Sequence, residues 1–174
     1  GSAFSEPKPE GISELMYQIR RFHSFLWASG GLYSDFYIHN IDECCWMKNA
    51  WPVEAKGYGG RHYRGDYVDQ NFDVYTTEYT FADGTKLISN TRQIPGCKND
   101  ISVGVLGSRG SALLTERRNG VRISAQEEWT YRDEAKNMYQ VEHDELFASI
   151  RAGTPINNGE YMAKSTLLAI MGRM

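Results

Sequence analysis

The sequence is poor in cysteine and contains no long apolar run. Its three cysteines, Cys44, Cys45 and Cys97, are an odd number without regular spacing, which argues against a disulfide framework and predicts reduced, partly buried thiols. No stretch approaches the roughly 18 apolar residues of a membrane-spanning helix, and no signal peptide is recognisable. Because Gly1 and Ser2 resemble residues left by an expression tag, the start of the chain does not indicate the cellular compartment of the protein.

An excess of basic residues is also missing. The 174 residues include 22 acidic and 19 basic side chains, for a formal net charge of -3, and this balance argues against nucleic acid as the main partner. The hydrophobic share of 41% and the charged share of 24% are ordinary for a soluble globular protein. We expect a flexible lead-in over residues 1–10 and a single domain over residues 11–174.

Several catalytic signatures are absent. No Gly-x-Gly-x-x-Gly turn joins a strand to a helix, so the chain itself is not expected to bind a dinucleotide cofactor. No Gly-x-Ser-x-Gly elbow and no His-Glu-x-x-His motif occurs either, so serine nucleophile chemistry and a zinc-protease type of metal site are not predicted. His23 and His62 have no partner nearby in the sequence.

The sequence does contain an ordered succession of helix, strand and helix patterns. Apolar residues recur at helical spacing over residues 12–26 and 34–47, and again near the end, where Asn137 can cap a helix that Gly153 closes and residues 160–174 continue as another. Between them, alternating and β-branched patterns predict strands over residues 53–58, 72–81, 86–93, 101–106, 111–116, 121–124 and 129–132. This layout predicts an α+β fold in which helices pack on one face of a large, mostly antiparallel open sheet.

The second face of such a sheet would remain uncovered. Tyr, Thr and Phe alternate along residues 72–81, so this face is a candidate for self-association into a homo-oligomer. Thr76, Thr77, Glu78 and Lys86 fit a solvated face equally well.

The helix predicted over residues 34–47 carries the strongest chemical signal. With Ser34 as its N-cap, the spacing of Asp35, His39 and Asp42 places all three side chains on one face. A carboxylate one turn before an imidazole can orient the ring and raise its basicity, which suits proton transfer near neutral pH. The alternatives are a solvated surface pair and a metal site formed by the three side chains.

The same residues resemble a known family. The pattern Asp35-x-x-x-His39-x-x-Asp42 after Ser29-Gly30-Gly31 is similar to the active-site helix of the glucose–fructose oxidoreductase, inositol dehydrogenase and rhizopine-catabolism (Gfo/Idh/MocA) family. The resemblance extends from about residue 29 onward and includes Pro52-Val53, Gly59-Gly60-Arg61, Asp83-Gly84, Gly107-x-x-Gly110, Glu142-His143, Ile150-Arg151-x-Gly153 and residues 165–173.

This resemblance implies a C-terminal substrate-binding and oligomerisation domain of a longer parent. The parent's N-terminal Rossmann domain would bind NAD or NADP and supply the lysine of a Glu-Lys-Pro motif, which Pro7-Lys8-Pro9 does not match. Substrates in the family are mostly sugars and polyols. The resemblance implies that Asp35 and His39 are catalytic.

Three further residues are candidates for contact with substrate: Tyr33, Asp42 and Arg92. Two other functions remain open. One is a non-catalytic binding or oligomerisation module, and the other is a metal-dependent sugar enzyme that uses the face of Asp35, His39 and Asp42.

Overall fold

A computed structural model describes residues 7–63, 68–115, 120–132, 134 and 136–174. Its internal contacts divide the chain into two units, Gly1–Lys98 with Tyr161–Met174, and Asn99–Glu160. The predicted strand over residues 111–116 and the predicted lead-in over residues 1–10 fall partly outside the described residues. The single domain expected over residues 11–174 stays a prediction.

The first unit contains a three-stranded antiparallel sheet. Its strands are β1 (Pro52–Gly60), β2 (Val74–Phe81) and β3 (Lys86–Arg92), and β2 lies in the middle. The β2–β3 hairpin turns at the predicted Asp-Gly pair, where Gly84 has a φ of +83°, a conformation that side chains disfavour. Along β2, buried and half-exposed residues alternate, so this strand has one covered face and one open face.

The helices that contribute core residues on the covered face are α2 (Ile38–Lys48) and α4 (Gly159–Arg173). The unit also contains α1 (Glu14–Arg20), a 3₁₀ turn at Phe22–Ser24 and a π-helical segment at Tyr33–Tyr37 that continues into α2. The core is built from residues of the π-helical segment, α2, β2 and α4, namely Tyr33, Ile41, Cys45, Tyr75, Tyr79, Phe81 and Leu168. Within the described residues none of the helices is both long and apolar enough to cross a bilayer.

The start of the central helix differs from the prediction. The backbone is already helical at Leu32, with φ -54° and ψ -37°, so Ser34 lies inside the helical run and is not its N-cap. Its hydroxyl is buried and has no hydrogen-bond partner among the described residues. The reason is that the turn before the helix is made at Gly31, whose φ of +69° a residue with a side chain adopts at a cost.

The second unit contains a four-stranded antiparallel meander and one helix. The strands β4 (Ser102–Gly107), β5 (Gly110–Thr115), β6 (Arg122–Ser124) and β7 (Glu128–Thr130) pair in chain order. The helix α3 (Met138–Ala152) begins as predicted at Asn137, whose side chain accepts hydrogen bonds from two backbone N–H groups, and ends at Gly153. The predicted α+β class and the antiparallel pairing are confirmed. The strands, however, form two sheets and not one, because β3 and β4 are separated by a segment that contains Pro95 and Gly96.

The cysteines are free thiols, as predicted. Cys44 is half-buried and Cys45 is buried on α2. Burial raises the pKa of the Cys44 thiol to about 11 and that of the Cys45 thiol to about 12, so both are protonated at neutral pH and poor nucleophiles.

Candidate functional site

A half-buried carboxylate, that of Asp35, is the centre of the candidate site. Asp35 lies in the π-helical segment that precedes α2, and single turns of this kind are frequent at functional sites. Its Oδ2 atom accepts a hydrogen bond from Ser29 Oγ at 2.5 Å and one from His23 Nδ1 at 2.7 Å. Each of the two side chains, Asp35 and His23, is 25% exposed, so the pair is accessible without being fully solvated.

The turn before the helix brings Ser29 to this carboxylate. The backbone N–H of Gly31 donates to Ser29 Oγ at 2.8 Å, which fixes the hydroxyl. A Cβ atom at Gly31 would lie 2.5 Å from Cγ of the buried Asn71, so this glycine is required both for its φ and for close packing. The Ser29-Gly30-Gly31 pattern that carries the family resemblance therefore has a physical reason here.

His23 is held in place from several directions. Asn71 Nδ2 donates to the backbone carbonyl of His23 at 2.7 Å, and the N–H of Gln70 donates to the carbonyl of the next residue, Ser24, at 2.8 Å. The imidazole ring is close to two phenyl rings, with centroid distances of 3.9 Å to Phe22 and 5.6 Å to Phe36. The position of this ring relative to Asp35 is thus set by the fold.

The predicted pairing of Asp35 with His39 is replaced by a pairing with His23. His39 is the second residue of α2 and is exposed, and its side chain has no hydrogen bond to any residue that the structure describes. His23 precedes Asp35 by twelve residues, a separation that helical periodicity does not reveal. The catalytic roles expected of Asp35 and His39 stay predictions.

The three candidate substrate residues lie in different surroundings. Tyr33 is fully buried, and its hydroxyl lies 3.1 Å from that of Tyr79 in the core. Arg92 is exposed at the end of β3, and its backbone carbonyl accepts a hydrogen bond from Tyr37 at 3.0 Å, which ties it to the π-helical segment. Their contact with substrate is untested.

Asp42, the third candidate, lies beside Tyr161, a neighbour that the sequence analysis did not identify. Desolvation, followed by the nearby Asp42 carboxylate, raises the pKa of Tyr161 to about 12. The Oδ1 atom of Asp42 is buried and has no partner among the described residues. Tyr161 also packs edge-on against Trp51, with ring centroids 5.2 Å apart. Asp42 on α2 therefore lies close to the start of the last helix.

The described residues contain no group of three or more His, Cys, Asp or Glu side chains that could hold a metal ion. Asp35 and His39 do not act on a common centre, since the Asp35 carboxylate bonds His23 and Ser29, whereas the exposed His39 side chain has no hydrogen bond to any described residue. The metal-dependent alternative has no support in this geometry.

Two residues of the site, His23 and Ser29, were not predicted to act there. Ser29 belongs to the Ser29-Gly30-Gly31 pattern identified in the sequence analysis, so the sequence did indicate that its position matters. His23 carried none, because its contact with Asp35 depends on how the 3₁₀ turn folds back on the helix.

No protein-family model matches the sequence, and neither does any of the curated proteins. Among solved structures, the chain is similar to UDP-N-acetylglucosamine 3-dehydrogenase from Acidithiobacillus ferrooxidans, with a TM-score of 0.67 and 18% identity, covering 82% of this chain and 46% of that one. It is also similar to an aldose–aldose oxidoreductase from Caulobacter crescentus, with a TM-score of 0.64 and 19% identity, covering 80% of this chain and 43% of that one. The chain spans less than half the length of these proteins and has the fold of a part of Gfo/Idh/MocA-type oxidoreductases.

Proposed function

We propose that this chain is the substrate-binding part of a nicotinamide-dependent oxidoreductase of the Gfo/Idh/MocA type that acts on a sugar, a polyol or a related alcohol. The observation that supports the proposal is the half-buried Asp35 carboxylate, which accepts hydrogen bonds from the His23 imidazole and the Ser29 hydroxyl. Asp35 lies on the helical run whose sequence pattern resembles that of the family. Two proteins of similar fold are, by their names, a dehydrogenase of a sugar nucleotide and an aldose–aldose oxidoreductase.

The nicotinamide cofactor, NAD or NADP, would be held by another part of a longer protein. The part of this chain that the structure describes has no glycine-rich turn between a parallel strand and a helix, and all its strand pairs are antiparallel. When bound, this cofactor would supply the acceptor for the hydride of the alcohol carbon. The residues of this chain bind and orient the alcohol and handle its proton.

In this mechanism the exposed His39 takes up the hydroxyl proton of the substrate on a ring nitrogen. Asp35, one turn earlier in the same helical run, stabilises the resulting imidazolium and accepts a hydrogen bond from the substrate. Arg92, exposed and connected to the π-helical segment through Tyr37, donates to hydroxyl groups of the substrate. Tyr33 supports the helix from the core side, where its hydroxyl bonds that of Tyr79, and Asp42 supports it beside Tyr161.

The test is substitution of His39 in the longer protein that contains this chain. We expect His39→Ala to lower kcat for sugar- or polyol-dependent cofactor reduction by about 100-fold or more, because general acid–base catalysis contributes rate factors of this order. Binding of the reduced cofactor, followed by fluorescence, should be unchanged. His143→Ala, on α3 of the other unit, is the matched control and should retain activity. Full activity of His39→Ala would refute the assignment.

A second candidate function is self-association through the open face of the three-stranded sheet. On this face, exposed Tyr58 and Ile88 flank the half-exposed Thr76 and Glu78 of the central strand. We propose that a second copy covers these apolar side chains. Ile88→Glu should then shift the sedimentation coefficient of the protein towards that of a monomer, whereas the same substitution at Leu106, exposed in the other unit, should not. An unchanged coefficient would exclude this face.

A further inference from the structure

We infer that His23 is a positioning residue of the active site, which fixes the Asp35 carboxylate so that one of its oxygens faces the substrate. The inference rests on the proposed oxidoreductase function and adds a residue to it. It is carried by the hydrogen bond between His23 Nδ1 and Asp35 Oδ2, at 2.7 Å, in which each side chain is only 25% exposed.

Both donors to the carboxylate converge on the same atom. Ser29 Oγ and His23 Nδ1 bond Asp35 Oδ2 at 2.5 and 2.7 Å, and within the described residues no donor reaches Oδ1. A carboxylate bonded in this way cannot rotate without losing two hydrogen bonds to a charged acceptor, each worth more than a neutral one. Oδ1 is left to accept a hydrogen bond from a substrate hydroxyl or from an imidazolium.

The protonation pattern of the imidazole follows from its partner. An ionised carboxylate only accepts hydrogen bonds, so Nδ1 of His23 must carry the hydrogen in the pair. Neutral His23 then has its acceptor lone pair on Nε2. The ring is therefore a fixed donor toward Asp35, and no proton needs to leave it for this role.

Contacts with neighbouring residues fix the position of the His23–Asp35 pair. The imidazole is close to the rings of Phe22 and Phe36, and the buried Asn71 donates a hydrogen bond to the backbone carbonyl of His23. An exposed ion pair between flexible side chains would have neither feature. Two aromatic rings and a buried amide thus position the imidazole of His23 next to the carboxylate of Asp35.

The experiment compares two substitutions of His23 in the longer protein. In His23→Asn, the side-chain amide can occupy the place of Nδ1 and donate to Asp35, whereas His23→Phe retains a ring without a donor. We expect His23→Phe to lower kcat about 10- to 100-fold with little change in KM, since misplacement of a catalytic group by about 1 Å costs up to this factor. His23→Asn should restore kcat to within a few fold of the parent. Equal activity of His23→Phe and the parent, or equal loss in both variants, would overturn the inference.

A second measurement works on the 174-residue chain and needs no activity. Long-range ¹H–¹⁵N correlation spectra should show neutral His23 with its hydrogen on Nδ1, and Asp35→Ala should move it to Nε2, as in a free imidazole. A hydrogen on Nε2 in the unsubstituted chain would overturn the inference even if the variants do not fold. If His39→Ala retains full activity while this spectrum shows the Nδ1 form, the proposed function fails and the fixed pair stands.

Discussion

The hydroxyl groups of Tyr33 and Tyr79 lie 3.1 Å apart, and both side chains are fully buried. Tyr79 donates its hydrogen to the backbone carbonyl of Leu168 at 2.8 Å, so the hydroxyl of Tyr33 must be the donor toward Tyr79. Desolvation of the buried side chain raises the pKa of Tyr79 far above its ordinary value. This chain of hydrogen bonds connects the π-helical segment that carries Asp35 to the central strand and to α4.

Removal of the central hydroxyl in Tyr79→Phe should lower the free energy of unfolding by about 1–3 kcal/mol. The substitution leaves the Tyr33 hydroxyl buried without its acceptor and removes the bond to the Leu168 carbonyl, and an unsatisfied buried group costs this much. Urea denaturation followed by far-UV circular dichroism measures the change. Tyr58→Phe, at a side chain that is 78% exposed, is the control and should change stability by less than about 0.5 kcal/mol. Equal effects of the two substitutions would show that the hydroxyl chain is unimportant.

Gly172, in the last turn of α4, packs against the same pair of tyrosines. A Cβ atom at this position would lie 2.1 Å from Tyr79 Oη and 2.6 Å from Tyr33 Cε1, and neither buried ring has room to move. Alanine normally stabilises a helix relative to glycine by roughly 0.5–1 kcal/mol, but here overpacking of about 1–3 kcal/mol should outweigh that gain. Gly172→Ala is therefore expected to lower the urea midpoint. Gly104→Ala, where a Cβ atom meets nothing within 4 Å, should leave it nearly unchanged. A midpoint raised by Gly172→Ala would contradict this packing.

Local chemistry made much of the fold predictable. Asp83-Gly84 between two alternating segments predicts a hairpin, and Asn137 before an apolar helical pattern predicts a cap, because both signals act through the backbone of a few neighbouring residues. The division of the strands into two sheets was not predictable in this way. Whether β3 pairs with β4 depends on the path of the chain through Pro95 and Gly96, and the hydrophobic pattern carries no information on that path.

In the candidate site too, the features set by neighbouring residues were predictable and the tertiary contacts were not. The helical pattern located Asp35, His39 and Asp42 on one helical run, because their spacing is a property of the helix itself. His23, which bonds Asp35, lies twelve residues before it, and Tyr161, which lies beside Asp42, follows more than a hundred residues later. Such contacts depend on tertiary packing, so spacing alone assigned the nearest imidazole to Asp35.

Stability in acid should depend on Asp83, in the turn of the β2–β3 hairpin. Lys48, the last residue of α2, hydrogen-bonds its carboxylate, and the N–H of Thr85 donates to it at 3.1 Å. The bond from Lys48, followed by that from Thr85, lowers the pKa of Asp83 from 3.8 to about 2. Because the folded pKa lies below the unfolded one, the stabilisation is complete above about pH 4 and is lost as the pH falls towards 2.

Asp83→Asn, which keeps the acceptor for Thr85, should flatten the decline in stability between about pH 4 and pH 2. Lys48→Met should instead raise the pKa of Asp83 towards 3.8, as followed by the ¹³C shift of its carboxyl group. A carboxyl that already titrates near 3.8 in the unsubstituted chain would show that this helix-to-turn pair does not form in solution.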